Sequence, residues 1–158
     1  MNASQPAPPA EAVPRTAGRV LLIDAQGRVL LFRGGDPAAM ERGTFWFTPG
    51  GGLNPGESLR DGAARELFEE TGLRCDPAEL VGPVHEERSL FQFAEMSYLQ
   101  HSTFFVLRVD SHEVDISGFE ALEASSIVEH RWWDREALRA TQDTVYPRSI
   151  CALMDELG

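Results

Sequence analysis

The chain has 158 residues, 42% hydrophobic and 25% charged, enough for one domain with its own core and unlike a mostly disordered or collagen-like chain. Its 14 basic residues are all arginine and face 25 acidic ones, a net charge of −11 that disfavours non-specific nucleic-acid binding. A protein this acidic needs local cations or a bound metal wherever it handles an anionic group.

Residues 1–17 hold Pro6, Pro8, Pro9 and Pro14 and little apolar surface, so a flexible or loosely attached tail is expected ahead of a single domain over residues 18–158. The tail lacks the apolar stretch of an export signal, and apolar runs such as Val20 to Ile23 are too short to cross a bilayer. A cytoplasmic protein without membrane contact is therefore expected. Cys75 and Cys151 have no Cys or His neighbour at ligand spacing and read as two buried free thiols.

Arg19 to Asp24, the turn Ala25-Gln26-Gly27, and Arg28 to Arg33 predict a β-hairpin with well-buried strands. Asp36 to Thr44 reads as a loop, and Phe45 to Thr48 as a short aromatic strand stopped by Pro49-Gly50-Gly51-Gly52. Ser58 to Thr71 predicts a helix, with Ser58 near its start and Gly72 where a left-handed residue closes it. Further strands are expected over Ala78 to Val84, Arg88 to Phe93, Met96 to Asp110 and Ile127 to Trp133, the last placing Trp132 and Trp133 on opposite faces. Asp134 is positioned to cap a helix running to about Ala140, and Tyr146-Pro147 opens a terminal helix ending near Leu157. Strands before, between and after a few helices predict a layered α/β or α+β domain with a mixed sheet.

The chemistry concentrates on the helix. At about 100° per residue, Ala63, Ala64, Leu67 and Phe68 fill one sector, and Glu66, Glu69 and Glu70 fill another. Glu66 repels Glu69 and Glu70 at i,i+3 and i,i+4, each pair costing an isolated helix about 0.2–0.5 kcal/mol. Glu69 and Glu70 also sit at the helix end that disfavours anions. A solvated acidic face is the commoner explanation of such a helix. A divalent cation would remove the conflict, and oxygen ligands without His or Cys favour Mg²⁺ or Mn²⁺ over zinc.

The whole segment, Gly51-x5-Glu57-x7-Arg65-Glu66-Leu67-x-Glu69-Glu70-x-Gly72-Leu73, resembles the Nudix box at every specified position. Trp46-x-x-Pro49-Gly50-Gly51 resembles the usual approach to that box, and the likeness extends over about residues 18 to 140. The resemblance implies an α/β/α sandwich around a mixed sheet and a metal-dependent pyrophosphohydrolase. Its substrate would be a nucleoside diphosphate linked to another group, such as a nucleoside triphosphate or nucleotide sugar. It also implies metal ligation by Glu66, Glu69, Glu70 and the Gly50 carbonyl, with Glu57 and Arg65 as a supporting pair. The general base is a box glutamate or a later Glu; Glu120 and Glu123 are the loop candidates, set against their reading as surface charges. Arg33, ending a strand beside the expected cleft, reads equally as a phosphate contact or a structural Arg. Phe45, Trp46, Phe91 and Tyr98 are candidates for a base-stacking platform, although most strand aromatics are core. The alternative function is a nucleotide-sensing or interaction module that has lost turnover. A homodimer is compatible with the resemblance, and nothing in the residues demands one.

Overall fold

The computed structural model describes residues 12–158. The chain forms strands β1 (Val13–Ile23), β2 (Val29–Gly34), β3 (Phe45–Phe47) and β4 (Gly50–Gly52), then helix α1 (Leu59–Thr71). Strands β5 (Val81–Phe93) and β6 (Met96–Arg108) follow, then α2 (Ala121–Ser126), β7 (Ile127–Trp133), α3 (Arg135–Ala140), β8 (Val145–Tyr146) and α4 (Ile150–Leu157). All eight strands join one mixed sheet in the order β5-β6-β1-β2-β3-β8, with β4 added to β1 and β7 to β2.

The expected tail over residues 1–17 is only partly open to comparison, because residues 1–11 lie outside the described part. Its last residues are strand: β1 starts at Val13 and runs parallel to β6 from Val13–Tyr98 to Ile23–Arg108. The prolines at the start mask this strand in the sequence, but Pro14 carries no amide hydrogen for the ladder to lose. The expected hairpin of β1 and β2 pairs only at Ile23–Val29. Beyond that rung the strands separate. β1 takes Gly50–Gly52 as its neighbour over Ala17 to Arg19, and β2 takes β3 over Phe32 to Gly34. The glycine run expected to stop a strand is thus itself a strand, and a cleft opens where β1 and β2 part.

Alternation sorts the sheet residues into two cores. Leu21, Ile23, Leu31, Trp46, Val106 and Trp133 pack with Leu138 of α3 and with Ile150, Leu153 and Met154 of α4. Val20, Leu22, Leu30, Phe32, Phe105 and Leu107 pack with Ala63, Ala64 and Leu67 of α1. Strands buried on both faces explain the unbroken apolar runs in β1 and β2. Trp132 and Trp133 serve opposite layers, as their alternation requires. Helices on both faces of a mixed sheet make the α/β/α sandwich.

Helix α1 has the expected ends. The Ser58 hydroxyl accepts from the Asp61 amide at 3.1 Å, and Gly72 closes the helix in the left-handed region at φ 77°, its amide donating to the Phe68 carbonyl. Phe68 departs from the expected buried sector. It is exposed, with the Arg74 guanidinium 4.0 Å above its ring, because only the narrow strip of Ala63, Ala64 and Leu67 meets the sheet. Cys75 and Cys151 are free and half-buried rather than buried. Among the described residues, no helix is long and apolar enough to cross a membrane.

Candidate active site

Arg65 stands at the centre of α1 and ties the preceding loop to the helix. Its Nε and Nη2 donate to both Glu57 oxygens at 2.8 and 2.9 Å, and Nη2 also reaches the Gly52 carbonyl at 3.0 Å. Its Nη1 donates to Glu66 at 3.0 Å and to Glu69 at 2.9 Å. These hydrogen bonds hold the Glu57 carboxyl below its usual range, and Glu57 in turn holds Arg65 more firmly charged than usual. A planar five-donor fork can serve four partners at once, which an ammonium cannot.

Glu66 and Glu70 turn inward, against the ordinary rule for carboxylates. Glu70 accepts the Gly50 amide at 2.8 Å. Glu66 lies against Gly51, where an added Cβ would come within 2.7 Å of its carboxyl carbon, so a larger residue on this rung of β4 would push the carboxylate out of place. A third carboxylate arrives from α2: oxygens of Glu66, Glu70 and Glu123 all lie within 4.8 Å of one another. Glu69, tied to Arg65, and Glu120, exposed at the start of α2, stand outside this trio.

Burial is the main cause of the unusual acidity here. It raises Glu66, and it raises Glu70 well above the carboxylate range with the Glu66 charge adding to the effect. Glu123 is pushed up to about 7 by burial and then by Glu66. One oxygen of Glu66, Oε2, is buried with no hydrogen-bond partner. Three desolvated carboxylates and an orphaned oxygen fit a hard divalent cation, which oxygen donors of this kind bind.

A cleft of about 560 Å³ opens beside the trio. One side is the face of β5, β6 and β1, where Phe91 and Tyr98 stack at 5.3 Å and the Arg15 guanidinium lies 6.0 and 5.5 Å from their ring centres. The other side carries Phe45 and Phe47 of β3 and Tyr146 of β8, with Phe45 edge-on to Tyr146 at 5.3 Å. Phe45, Phe91 and Tyr98 therefore reach the cleft. Trp46 and Arg33 do not. Trp46 is a core residue whose indole N–H donates to Asp143 at 3.1 Å. Arg33, paired across the ladder with Trp46, points to that same face and binds Thr44 and Glu129 at 2.9 and 3.0 Å. The cations that do line the cleft are Arg15 and Arg19, the latter donating to the Thr48 carbonyl at 2.9 Å.

A family profile described as NUDIX domain matches residues 13–153, nearly the whole described chain. The chain belongs to the Nudix hydrolase family. This Nudix hydrolase is 32% identical over 127 residues to an RNA pyrophosphohydrolase of Novosphingobium aromaticivorans, covering 75% of this chain and 76% of that one. It is 30% identical over 118 residues to a human 8-oxo-dGDP phosphatase, covering 75% of this chain but only 32% of that longer protein. In fold it resembles the crystal structure of a MutT protein from Methanosarcina mazei Go1, with a TM-score of 0.68, 24% identity, and 94% and 98% of the two chains covered. The match begins at Val13, where β1 of this Nudix domain begins. Arg15 and Arg19, missed by sequence reasoning, follow from that start, since i,i+2 and i,i+4 positions share a strand face. Phe47 and Tyr146 also went unseen, the first because it flanks the more conspicuous Trp46 and the second because a two-residue strand leaves no periodic signal.

Proposed function

We propose that this Nudix hydrolase cleaves a phosphoanhydride bond in a small nucleotide, of the nucleoside triphosphate or nucleotide sugar kind, by attack of water. Mg²⁺ or Mn²⁺ would be held by Glu66 and Glu70, with Glu69 and the Gly50 carbonyl as further ligands. A bound divalent ion supplies charge neutralisation for the phosphates and makes water more acidic. The chain's own residues do the rest. Arg65 and Glu57 fix the helix against the loop, so that the carboxylates are placed before substrate arrives. Arg15 and Arg19 provide the positive charge that phosphates require in so acidic a protein. Glu123 receives the proton of the attacking water, because it faces Glu66 and Glu70 where Glu120 does not. The aromatic walls hold the base by stacking.

The observation that carries this reading is the convergence of Glu66, Glu70 and Glu123 on one point, with an oxygen of Glu66 left without a partner, at the edge of an aromatic cleft. A panel of nucleoside di- and triphosphates including 8-oxo-dGDP, nucleotide sugars, ADP-ribose, dinucleoside polyphosphates and a 5′-triphosphorylated RNA tests it. Release of phosphate or nucleoside monophosphate with Mg²⁺ or Mn²⁺ and none with EDTA is expected. Silence across the panel with both metals overturns it.

A further inference from the structure

Buried polar side-chain atoms nearly always have hydrogen-bond partners. Among the described residues, Thr48 Oγ1, Glu66 Oε2, Gln100 Oε1 and Trp133 Nε1 are buried without one. Trp133 belongs to a hydrophobic core, but Thr48 and Gln100 line the cleft and Glu66 belongs to the carboxylate trio at its edge. Orphaned atoms gathered at a cleft carry a desolvation cost that a ligand can remove.

Gln100 is the most informative of them. It sits in the middle of β6, only 3% exposed, between Ser89 of β5 and Arg15 of β1. Its Nε2 donates to Ser102 Oγ at 2.9 Å, and its Oε1 is left without a partner. Tyr98, two positions along the same face, begins the aromatic pair that Arg15 overlies. Among the described residues Arg15 makes no ion pair, and its guanidinium lies by the Phe91 and Tyr98 rings. One rung of the sheet thus sets a buried, unpartnered neutral acceptor beside a guanidinium at the cleft wall. Its complement is a planar ring with an N–H next to a carbonyl, because a guanidinium binds a carbonyl oxygen, as with guanine O6, better than a bare ring nitrogen.

We propose that Gln100 selects the base of the substrate, favouring nucleotides whose base has such a lactam edge, guanine, hypoxanthine or uracil, over adenine and cytosine. The inference rests on reading the cleft as a nucleotide site. It is tested without turnover, by calorimetric titration of the full chain in EDTA with GMP, IMP, UMP, AMP and CMP. Binding of the first three about tenfold or more tighter than the last two is expected, the scale of one base-edge contact. Gln100→Leu should bring all five within about threefold by weakening GMP, IMP and UMP, with an unchanged melting profile. Ser102→Ala, which frees the carboxamide to turn, should shrink the preference in the same direction. Equal binding of all five, a preference for AMP or CMP, or a lactam preference that survives in folded Gln100→Leu overturns the proposal. If Gln100→Leu does not fold, an undiminished preference in Ser102→Ala overturns it instead. A protein that binds GMP selectively yet hydrolyses nothing with Mg²⁺ would sink the hydrolase reading alone.

Discussion

Glu120 and Glu123 lie one helical turn apart, yet only Glu123 reaches the buried carboxylates. Glu123→Gln should therefore lower kcat by about 10²–10⁴, the usual worth of a general base, while Glu120→Gln stays near wild type. Steady-state kinetics on the best substrate of the panel distinguishes the two, and equal losses would refute the assignment. The aromatic residues divide in the same way. Trp46→Ala should cost about 3–5 kcal/mol of stability in urea titrations, as expected of a buried Trp, without a specific rise in KM. Tyr146→Ala should raise KM about tenfold with little loss of stability, since stacking on one ring contributes about 1–3 kcal/mol. Arg33→Ala should leave KM unchanged, because its partners are Thr44 and Glu129 on the other face. What sequence reading could see at this scale was residue type at fixed spacing, which is why Glu57, Arg65, Glu66, Glu69 and Glu70 were found together. Gln100 has no such spacing. Its interest lies in a missing hydrogen bond, a property of the folded neighbourhood that no linear pattern encodes.

Helix α1 was legible because its signals are local: a hydroxyl cap, a periodic apolar strip and a left-handed glycine within fifteen positions. Strands were harder. β5 was expected as two pieces and is one continuous strand, since Val81 to Phe93 is mostly exposed and owes its form to pairing with β6 rather than to its own composition. The six-residue helix α2 and the two-residue β8 are too short for periodicity to register, although α2 delivers Glu123 and β8 delivers Tyr146. The Arg65 fork joins α1 to β4 through Gly52 and to the intervening loop through Glu57, so Arg65→Lys is expected to cost about 1.5–3 kcal/mol, the range for hydrogen bonds to charged groups. The same variant should weaken Mn²⁺ binding, measurable by calorimetry, because Glu66 and Glu69 lose their common anchor. An unchanged melting midpoint and metal affinity would show that the fork is dispensable.

For the molecule as a whole, two sets of carboxylates pull stability in opposite directions with pH. Asp24, whose burial is outweighed by hydrogen bonds from the Arg28 amide and side chain and the Gln26 amide, is lowered, as is Glu57. Their contribution is complete above the unfolded values of about 3.9 and 4.3 and is lost as pH falls through the lower folded values. Glu66, Glu70 and Glu123 are raised, so their contribution is complete below about 4.3 and is lost as pH rises, for Glu123 through about 7. Metal-free protein should accordingly be most stable near pH 4–5 and its melting temperature should fall toward pH 7–8. Saturating Mg²⁺ should restore stability at the upper end, by about 2.7 kcal/mol at a hundred times Kd. A flat profile in EDTA would contradict the buried charges. The long parallel ladder between β1 and β6 has a further consequence, for the birth of the protein. Val13 meets Tyr98 and Ile23 meets Arg108, so the strand that lines the cleft with Arg15 and Arg19 has its main partner at the far side of the sequence. Such non-local pairing makes folding slow relative to helical domains. On the ribosome the glutamate helix is synthesised well before β6, and its acidic face must wait, unsupported by a finished sheet, until the second half of the chain has emerged.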